Sequence, residues 1–164
     1  MKWKNIINLE SLKYVPAQAG EHYQHQSAPL ASEMGAKKLG FHAEILEPKA
    51  FSSPYHFHHS EEELFLVIEG QATLRQANQF RIVKQGDLIF FTNSPEGAHQ
   101  FYNHTNQPFK FLALSTMDPL EICEYPDSNK YAVMDNFKVD AAGNASGFVA
   151  VARQADGVDY WDGE

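Results

Sequence analysis

The segment PYHFHHSEEELFLVIEG, residues 54–70, concentrates the residue types best suited to chemistry in this chain. Residues 56–63 hold three histidines and three glutamates, and an apolar run follows at once. Imidazole and carboxylate groups beside a buried strand are costly unless they are hydrated, hydrogen-bonded or bound to a metal ion. The segment therefore raises a choice between water and a metal as the partner of these groups.

Spacing divides these side chains between two faces. His56 and His58 are two residues apart, so both point to the same face of an extended segment. Glu63 opens the next strand, and it would join that face if the two strands paired across the turn. A fourth candidate, His99, lies in a later strand-like segment. Three imidazoles with one carboxylate suit one divalent transition metal, such as Zn, Ni, Fe, Mn or Cu.

The remaining polar residues of the segment have simpler interpretations. His59 should point away from His58, and we expect it in a solvent-facing turn. Glu61 and Glu62 are interpreted as hydrated turn acids. His42 lies in the strand-like segment LGFHAEIL, where a hydrogen-bonded core histidine and a pocket residue are equally reasonable.

Short strands must position these groups. Apolar segments of four to eight residues recur from residue 38, separated by turn residues and without a sustained 3.6-residue period. Many short strands with close turns are typical of an all-β sandwich or barrel. The predicted strands cover residues 38–46, 63–70, 71–76, 79–83, 87–91, 98–103, 109–116 and 148–153.

The two ends of the chain are less regular. We interpret residues 1–35 as an N-terminal extension packing on the barrel, with QAGEHYQHQSAP (18–29) as an exposed arm. Residues 36–164 are expected to form a single domain with a C-terminal strand and tail. A polar region follows residues 124–131, and DAAGNASG (140–147) predicts a turn before the last strand.

Composition excludes several classes of protein. The chain has 164 residues, 43% hydrophobic and 21% charged, which is a normal globular balance. Its net charge of -8 argues against nucleic-acid binding. The single cysteine, Cys123, can form neither an internal disulfide nor a cysteine-based zinc site. No apolar run indicates a signal peptide or a membrane span, so we expect no membrane association and a cytoplasmic location.

Two motifs resemble those of the cupin superfamily. His56, His58, Glu63 and Gly70 match its first motif, H-x-H-x(3,4)-E-x(6)-G. The second motif, G-x5-P-x-G-x2-H-x3-N, is present in order as Gly86, Pro95, Gly97, His99 and Asn103. Its spacing differs, since eight residues rather than five separate Gly86 from Pro95. The loop before His99 is therefore predicted to be longer than usual.

The whole chain is similar to small single-domain bacterial cupins of unassigned reaction, often labelled mannose-6-phosphate isomerase-like. This resemblance implies a double-stranded β-helix, which is a jelly-roll barrel, with one divalent metal bound by His56, His58, Glu63 and His99. Phe65, Phe90, Phe101 and His42 are candidate pocket-lining residues, although the phenylalanines are most simply core.

Three functions are compatible with such a site. The first is a metal-dependent enzyme, such as a dioxygenase or an isomerase, acting on a sugar-like molecule, a keto or hydroxy acid, or a phenol. His42 and Glu44 are then candidate acid or base residues, and the 86–99 loop or the N-terminal arm could form a lid. The second is a non-catalytic module that binds or senses a small molecule. The third is a closed structural metal site. We also expect a homodimer, because apolar strand faces need cover.

Overall fold

Alternating apolar and polar residues build most of the chain as antiparallel strands. The computed structural model describes residues 5–139 and 145–164. The strands in these ranges are β1 (Val15–Ala19), β2 (Tyr23–Ala28), β3 (Leu39–Leu46), β4 (Phe57–His58), β5 (Glu63–Glu69), β6 (Gln71–Gln76), β7 (Gln79–Lys84), β8 (Leu88–Phe91), β9 (His99–Tyr102), β10 (Phe109–Thr116), β11 (Leu120–Tyr125), β12 (Lys130–Val139) and β13 (Ala145–Arg153). One short helix, α1 (Leu30–Met34), and four 3-10 turns, Leu9–Ser11, Pro95–Gly97, Pro126–Ser128 and Gln154–Asp156, complete the described elements.

The strands form three sheets. The first has the order β1-β2-β3-β10-β5-β8, the second β7-β6-β9 and the third β13-β12-β11-β4. The core lies between the first and second sheets, where inward-facing residues of β5, β9 and β10 meet. Phe101 and Phe109 are fully buried there, and Phe111 is 2% exposed. This is the all-β jelly-roll arrangement that the sequence predicts.

A second apolar cluster covers the outer face of the first sheet. Ala43 of β3 and Leu112 of β10 point to this face and contact residues from the N-terminal segment. That segment contributes Ile7, Leu9, Leu12, Tyr14, Ala28 and Leu30. Both faces of β3 and β10 are therefore covered, which explains why these strands carry apolar residues at successive positions.

Glycine is required at the tight turn between β5 and β6. Gly70 has a φ of 79°, in the left-handed region that L-residues with a Cβ avoid. A Cβ built there would lie 2.6 Å from the carbonyl oxygen of Pro108. The glycine that ends the first sequence motif thus serves both backbone conformation and close packing.

The structure corrects two predictions about the ends of the chain. The predicted arm at residues 18–29 belongs largely to the hairpin of β1 and β2, which extends the first sheet through the pairing of Ser27 with Glu44. The polar region that follows residues 124–131 holds most of β12, a ten-residue strand that begins at Lys130. The predicted turn at 140–147 falls mostly on residues 140–144, outside the described residues, and β13 begins at Ala145.

Within the described ranges, no helix has the length and apolar character needed to cross a membrane.

Candidate metal centre

Backbone pairing brings the two histidine-bearing segments together. His56 and His99 form an antiparallel bridge, in which the His99 amide donates to the His56 carbonyl oxygen at 2.9 Å. Their ring centroids lie 4.7 Å apart, and the rings of His56 and His58 lie 5.1 Å apart. The expected pairing across the turn is wrong, because β4 pairs with β11 while β5 lies between β8 and β10. Glu63, the first residue of β5, nevertheless reaches the histidines.

Glu63 is the common neighbour in this group. Its Oε2 lies 3.5 Å from Nε2 of His58 and 3.3 Å from Nε2 of His99. Ligand atoms of His56, Glu63 and His99 all lie within 4.8 Å of one another. The structure therefore gathers the four residues that the sequence singled out.

The outer nitrogens of two rings fix their tautomers. Nδ1 of His56 lies 2.8 Å from the Pro54 carbonyl oxygen, and Nδ1 of His99 lies 3.0 Å from that of Gly97. A carbonyl oxygen can only accept, so each Nδ1 must be the protonated nitrogen. Nε2 of both rings then carries the free lone pair that a metal needs.

Burial sets the charge of the site. It lowers the pKa of His56 to about 4 and the pKa of His99 well below its usual value, so both rings are neutral near pH 7. Burial acts in the same direction on His58, but contacts with Glu121 and Glu63 outweigh it and raise the pKa of that ring. Burial also raises the pKa of Glu63.

Two atoms in the group support a cation as the missing partner. Oε2 of Glu63 and Nδ1 of His58 are buried and make no hydrogen bond within the described part of the chain. Buried polar atoms are normally satisfied, so an unsatisfied carboxylate oxygen facing two imidazole nitrogens needs an explanation. A divalent transition metal bound by the imidazoles and the carboxylate would explain it, and the residues present fit such an ion.

Strand β11 supplies three residues that the sequence did not single out. Glu121 and Cys123 point inward, and the Tyr125 ring stacks on His56 with 6.0 Å between centroids. Cys123 lies among ligand atoms of His56 and His58, and burial raises the pKa of its thiol to about 12. The two-residue spacing in LEICEY was the available signal, since it places all three on one face of a strand.

The turn acids differ from one another. Glu62 is exposed, as expected, and its backbone N–H donates to the Thr116 hydroxyl at 3.0 Å. Glu61 was interpreted as hydrated, but it is partly buried, and burial raises its pKa to about 7. His59 is 43% exposed, with Nε2 2.8 Å from Oε1 of Glu124.

The predicted pocket-lining residues lie in three different places. Phe65 packs edge-on against His99 at 5.6 Å, and Phe101 is buried beyond it. Phe90 is 51% exposed on the outer face, and its neighbour Phe91 takes the inner position, stacked on His99 at 3.8 Å. His42 is partly exposed and lies 3.4 Å from Glu44.

A cavity of about 290 Å³ borders the site. Two of its walls are Glu61 and Glu121, whose carboxylates lie with His58 in one group of atoms within 4.8 Å. Its other lining residues are Lys37, Met117, Asp118, Pro119, Met134, Asn136 and Phe137. A larger depression of about 630 Å³ lies over β7 and β8, lined by Phe80, Leu88 and Phe90, away from the histidines. Of these two, the smaller cavity is the one whose lining includes carboxylates that lie beside His58.

Comparison with known proteins supports the fold. An uncharacterized protein of Methanocaldococcus jannaschii is 32% identical over 73 residues, which is 44% of this chain and 57% of that protein. A solved protein of Acidithiobacillus ferrooxidans is 22% identical with a TM-score of 0.77, covering 95% of this chain and 96% of that one. A sugar phosphate isomerase of the cupin superfamily from Silicibacter pomeroyi is 25% identical with a TM-score of 0.74, covering 96% and 98%.

The family profile of the cupin domain matches residues 43–115, the stretch that holds His56, His58, Glu63 and His99. The sequence motifs, the jelly-roll sheets and this match agree, and the chain contains a cupin domain.

Proposed function

We propose that this protein is a metal-dependent cupin that binds one divalent metal through His56, His58, Glu63 and His99 and acts on a small organic molecule. The observation that carries the proposal is the buried Oε2 of Glu63, which has no hydrogen-bond partner in the described chain and faces Nε2 of His58 and His99. The metal would be Zn, Ni, Fe or Mn, all of which accept this donor set.

Each residue has a separate task in this mechanism. A divalent metal held by these four residues would supply Lewis-acid chemistry toward a carbonyl oxygen. His56 and His99 present neutral imidazoles because burial keeps their pKa values low. Phe65 and Phe91 pack on His99 and exclude water from that side of the site. Glu61, between His58 and the cavity, is placed to exchange a proton with a molecule held there.

A sugar-like hydroxy-carbonyl compound is the substrate class that these features favour. The cavity is at the small end of the range for ligand pockets and mixes carboxylates, an amide and a lysine with methionine and phenylalanine. The Silicibacter pomeroyi protein, 25% identical over nearly the whole chain, is a sugar phosphate isomerase by name. Keto or hydroxy acids and phenols are the alternative substrates, and isomerisation is the reaction that we propose.

The test is the metal content of protein purified without added metal, combined with an assay of aldose and ketose phosphate interconversion before and after chelation. Stoichiometric metal with metal-dependent turnover supports the proposal. Metal with saturable binding of these compounds but no turnover would replace it with a binding or sensing role. Four-coordinate zinc without bound water would indicate a structural site. Absence of any bound metal after reconstitution would overturn the metal assignment.

We further propose that the protein is a homodimer in the cytoplasm. Exposed apolar residues on β7 and β8 support an interface, with Phe80 71%, Leu88 64% and Phe90 51% exposed. The lone buried Cys123 is compatible with a reducing compartment. Light scattering on the purified chain should give twice the chain mass, and Phe80→Asp should reduce it to one chain mass. A monomeric mass for the unaltered protein would contradict the dimer.

A further inference from the structure

Each of the three histidines of the site has a ring nitrogen, Nδ1, that faces away from Glu63. The three rings differ in the group that lies next to this nitrogen. For His56 and His99 the partner is a backbone carbonyl two residues earlier, at Pro54 and Gly97. These two partners remain when side chains are changed. For His58 the neighbour of Nδ1 is a side chain, because Oε1 of Glu121 lies 3.4 Å away. His58 therefore depends on one residue for an orientation that the backbone gives to the other two.

Glu121, the second residue of β11, is an unusual residue for a buried position. Its side chain is 4% exposed, although it carries a carboxylate. Three backbone amides donate to it, with the Oε1 atom accepting from His59 at 3.0 Å and the Oε2 atom accepting from Ser60 at 3.2 Å and Glu61 at 3.0 Å. Charge-assisted hydrogen bonds of this kind offset the cost of burying the carboxylate. The backbone thus holds the Glu121 carboxylate in place independently of its contact with His58.

Strand pairing places this carboxylate beside the ring. β4 and β11 are antiparallel, with Cys123 opposite His58 and Glu124 opposite Phe57. Glu121 lies two residues before Cys123 on the same inner face, at the level of the turn that follows His58. Nδ1 of His58 is buried and makes no hydrogen bond in the described residues, and the Oε1 atom of Glu121 lies 3.4 Å from it. Glu121 is the acceptor that the fold provides.

We propose that Glu121 is a positioning residue for the metal centre. It accepts the Nδ1–H of His58, which leaves the lone pair on Nε2, the nitrogen 3.5 Å from Oε2 of Glu63. A carboxylate behind a ligating imidazole fixes the tautomer and increases the basicity of the ligand. The same carboxylate holds the amide of Glu61, so it also sets the wall of the 290 Å³ cavity. The metal part of this inference rests on the proposed function.

The first measurement needs no variant. In metal-free protein at a pH where His58 is neutral, long-range proton–nitrogen NMR spectra distinguish an imidazole protonated at Nδ1 from one protonated at Nε2. His58 should be protonated at Nδ1, and so should His56 and His99. A His58 ring protonated at Nε2 would overturn the proposal. Because no metal is present, this result does not depend on the metal-binding assignment.

The second measurement uses Glu121→Gln, titrated with Co²⁺ alone and followed by the visible absorption of the bound ion. The amide removes the negative charge and one of the two acceptor oxygens while keeping the size of the side chain. Affinity should fall by about 10- to 100-fold, the range for loss of a hydrogen-bond partner behind a metal ligand. The tautomer of His58 should become mixed, a change that loss of a purely structural contact to the turn would not cause.

The matched control is Glu124→Gln, which removes the partner of the exposed His59 on the outer face of the same strand. Its Co²⁺ affinity should equal that of the unaltered protein. Folded Glu121→Gln with unchanged affinity and an unchanged His58 tautomer would refute the positioning role. If Co²⁺ binds neither the unaltered protein nor the control, the proposed function fails, and the NMR result still decides the role of Glu121.

Discussion

The inner face of the barrel has an apolar end and a polar end, and single strands run from one to the other. β5 presents Glu63 at the polar end and then Phe65 and Val67 toward the apolar end. β9 does the same with His99 followed by Phe101. Two residues along a strand thus separate a candidate metal ligand from the centre of the core.

This difference shows how a packed core and a polar site share one interior. Phe91 stands at the boundary, with its ring stacked on His99 at 3.8 Å and edge-on to Phe65 at 5.2 Å. The apolar end supplies the burial that stabilises the fold. At the boundary the same burial lowers the pKa of His99 and keeps it neutral. The core therefore also determines the chemistry of its neighbour.

Phe101→Ala should have the largest effect, and it should fall on stability. The ring is fully buried and contacts Phe65, Phe109 and Phe111 at centroid distances of 5.4 to 5.8 Å. Truncation should lower the free energy of unfolding by about 3–5 kcal/mol, measured by urea denaturation of metal-free protein. Tyr160→Ala is the control, since Tyr160 is 85% exposed. Equal losses in the two variants would show that the apolar end is not the main source of stability.

His58→Ala should have the opposite effect, which falls on metal binding at the polar end and not on folding. We expect metal affinity to fall at least about 100-fold because a ligand is removed, while the barrel stays folded because the core lies elsewhere. Metal analysis and circular dichroism on the same sample measure both quantities. Stoichiometric metal retained by this variant would show that His58 is not a ligand.

The pH dependence of stability should reveal the burial of His56. Its pKa is lowered from 6.5 to about 4 in the folded protein, so the unfolded chain binds the extra proton as the pH falls between these values. Stability contributed by the neutral ring is therefore complete above pH 6.5 and lost toward pH 4, by about 1–3 kcal/mol. The metal-free His56→Gln variant should lack this component. Parallel curves of unfolding free energy against pH for the two proteins would rule out the lowered pKa.

An ion pair on the surface, outside the polar and apolar ends of the interior, provides a reference for the comparison. Arg75 of β6 makes two hydrogen bonds with Asp127, one of 2.9 Å, and its guanidinium lies 3.8 Å above the Tyr55 ring. Asp127 is 54% exposed, so solvent screens the pair. Asp127→Asn should cost about 1 kcal/mol or less at low salt and less still in 1 M salt, measured by thermal unfolding. A loss as large as that of Phe101→Ala would remove the distinction between interior and surface contacts.

The sequence predicts the central strands because their own residues carry the signal. β6 and β10 have the predicted bounds, and β10 is an apolar run in which Phe109, Phe111 and Ala113 are buried at alternate positions. β2 is different, since YQHQSA contains little that favours a strand. It is extended because its residues pair with the edge of β3, with Ser27 opposite Glu44. Pairing of this kind depends on the three-dimensional fold and leaves no pattern in the segment itself.

The residues of the candidate site also differ in how well the sequence alone identifies them. The two-residue spacing of His56 and His58 is a local signal, and it led to the group around Glu63. For Glu121 the corresponding signal is weaker. Its two-residue spacing from Cys123 fits one face of a strand, but a glutamate between Leu120 and Ile122 looks like a residue that faces water. Its burial results from the turn after β4, which directs the amides of His59, Ser60 and Glu61 toward it. Only the folded arrangement shows that these amides converge.

Asn103, at the end of β9 opposite His99, has a consequence for how the barrel opens. Its amide group donates to the carbonyl oxygens of Leu46 and Gln107, and its oxygen accepts from the amide and hydroxyl of Thr105. All four hydrogen-bonding positions are filled, and the residue is fully buried. Its side-chain protons can exchange with deuterium from the solvent only when this end of the barrel separates. Deuterium exchange of these protons should therefore report the opening of this end of the barrel.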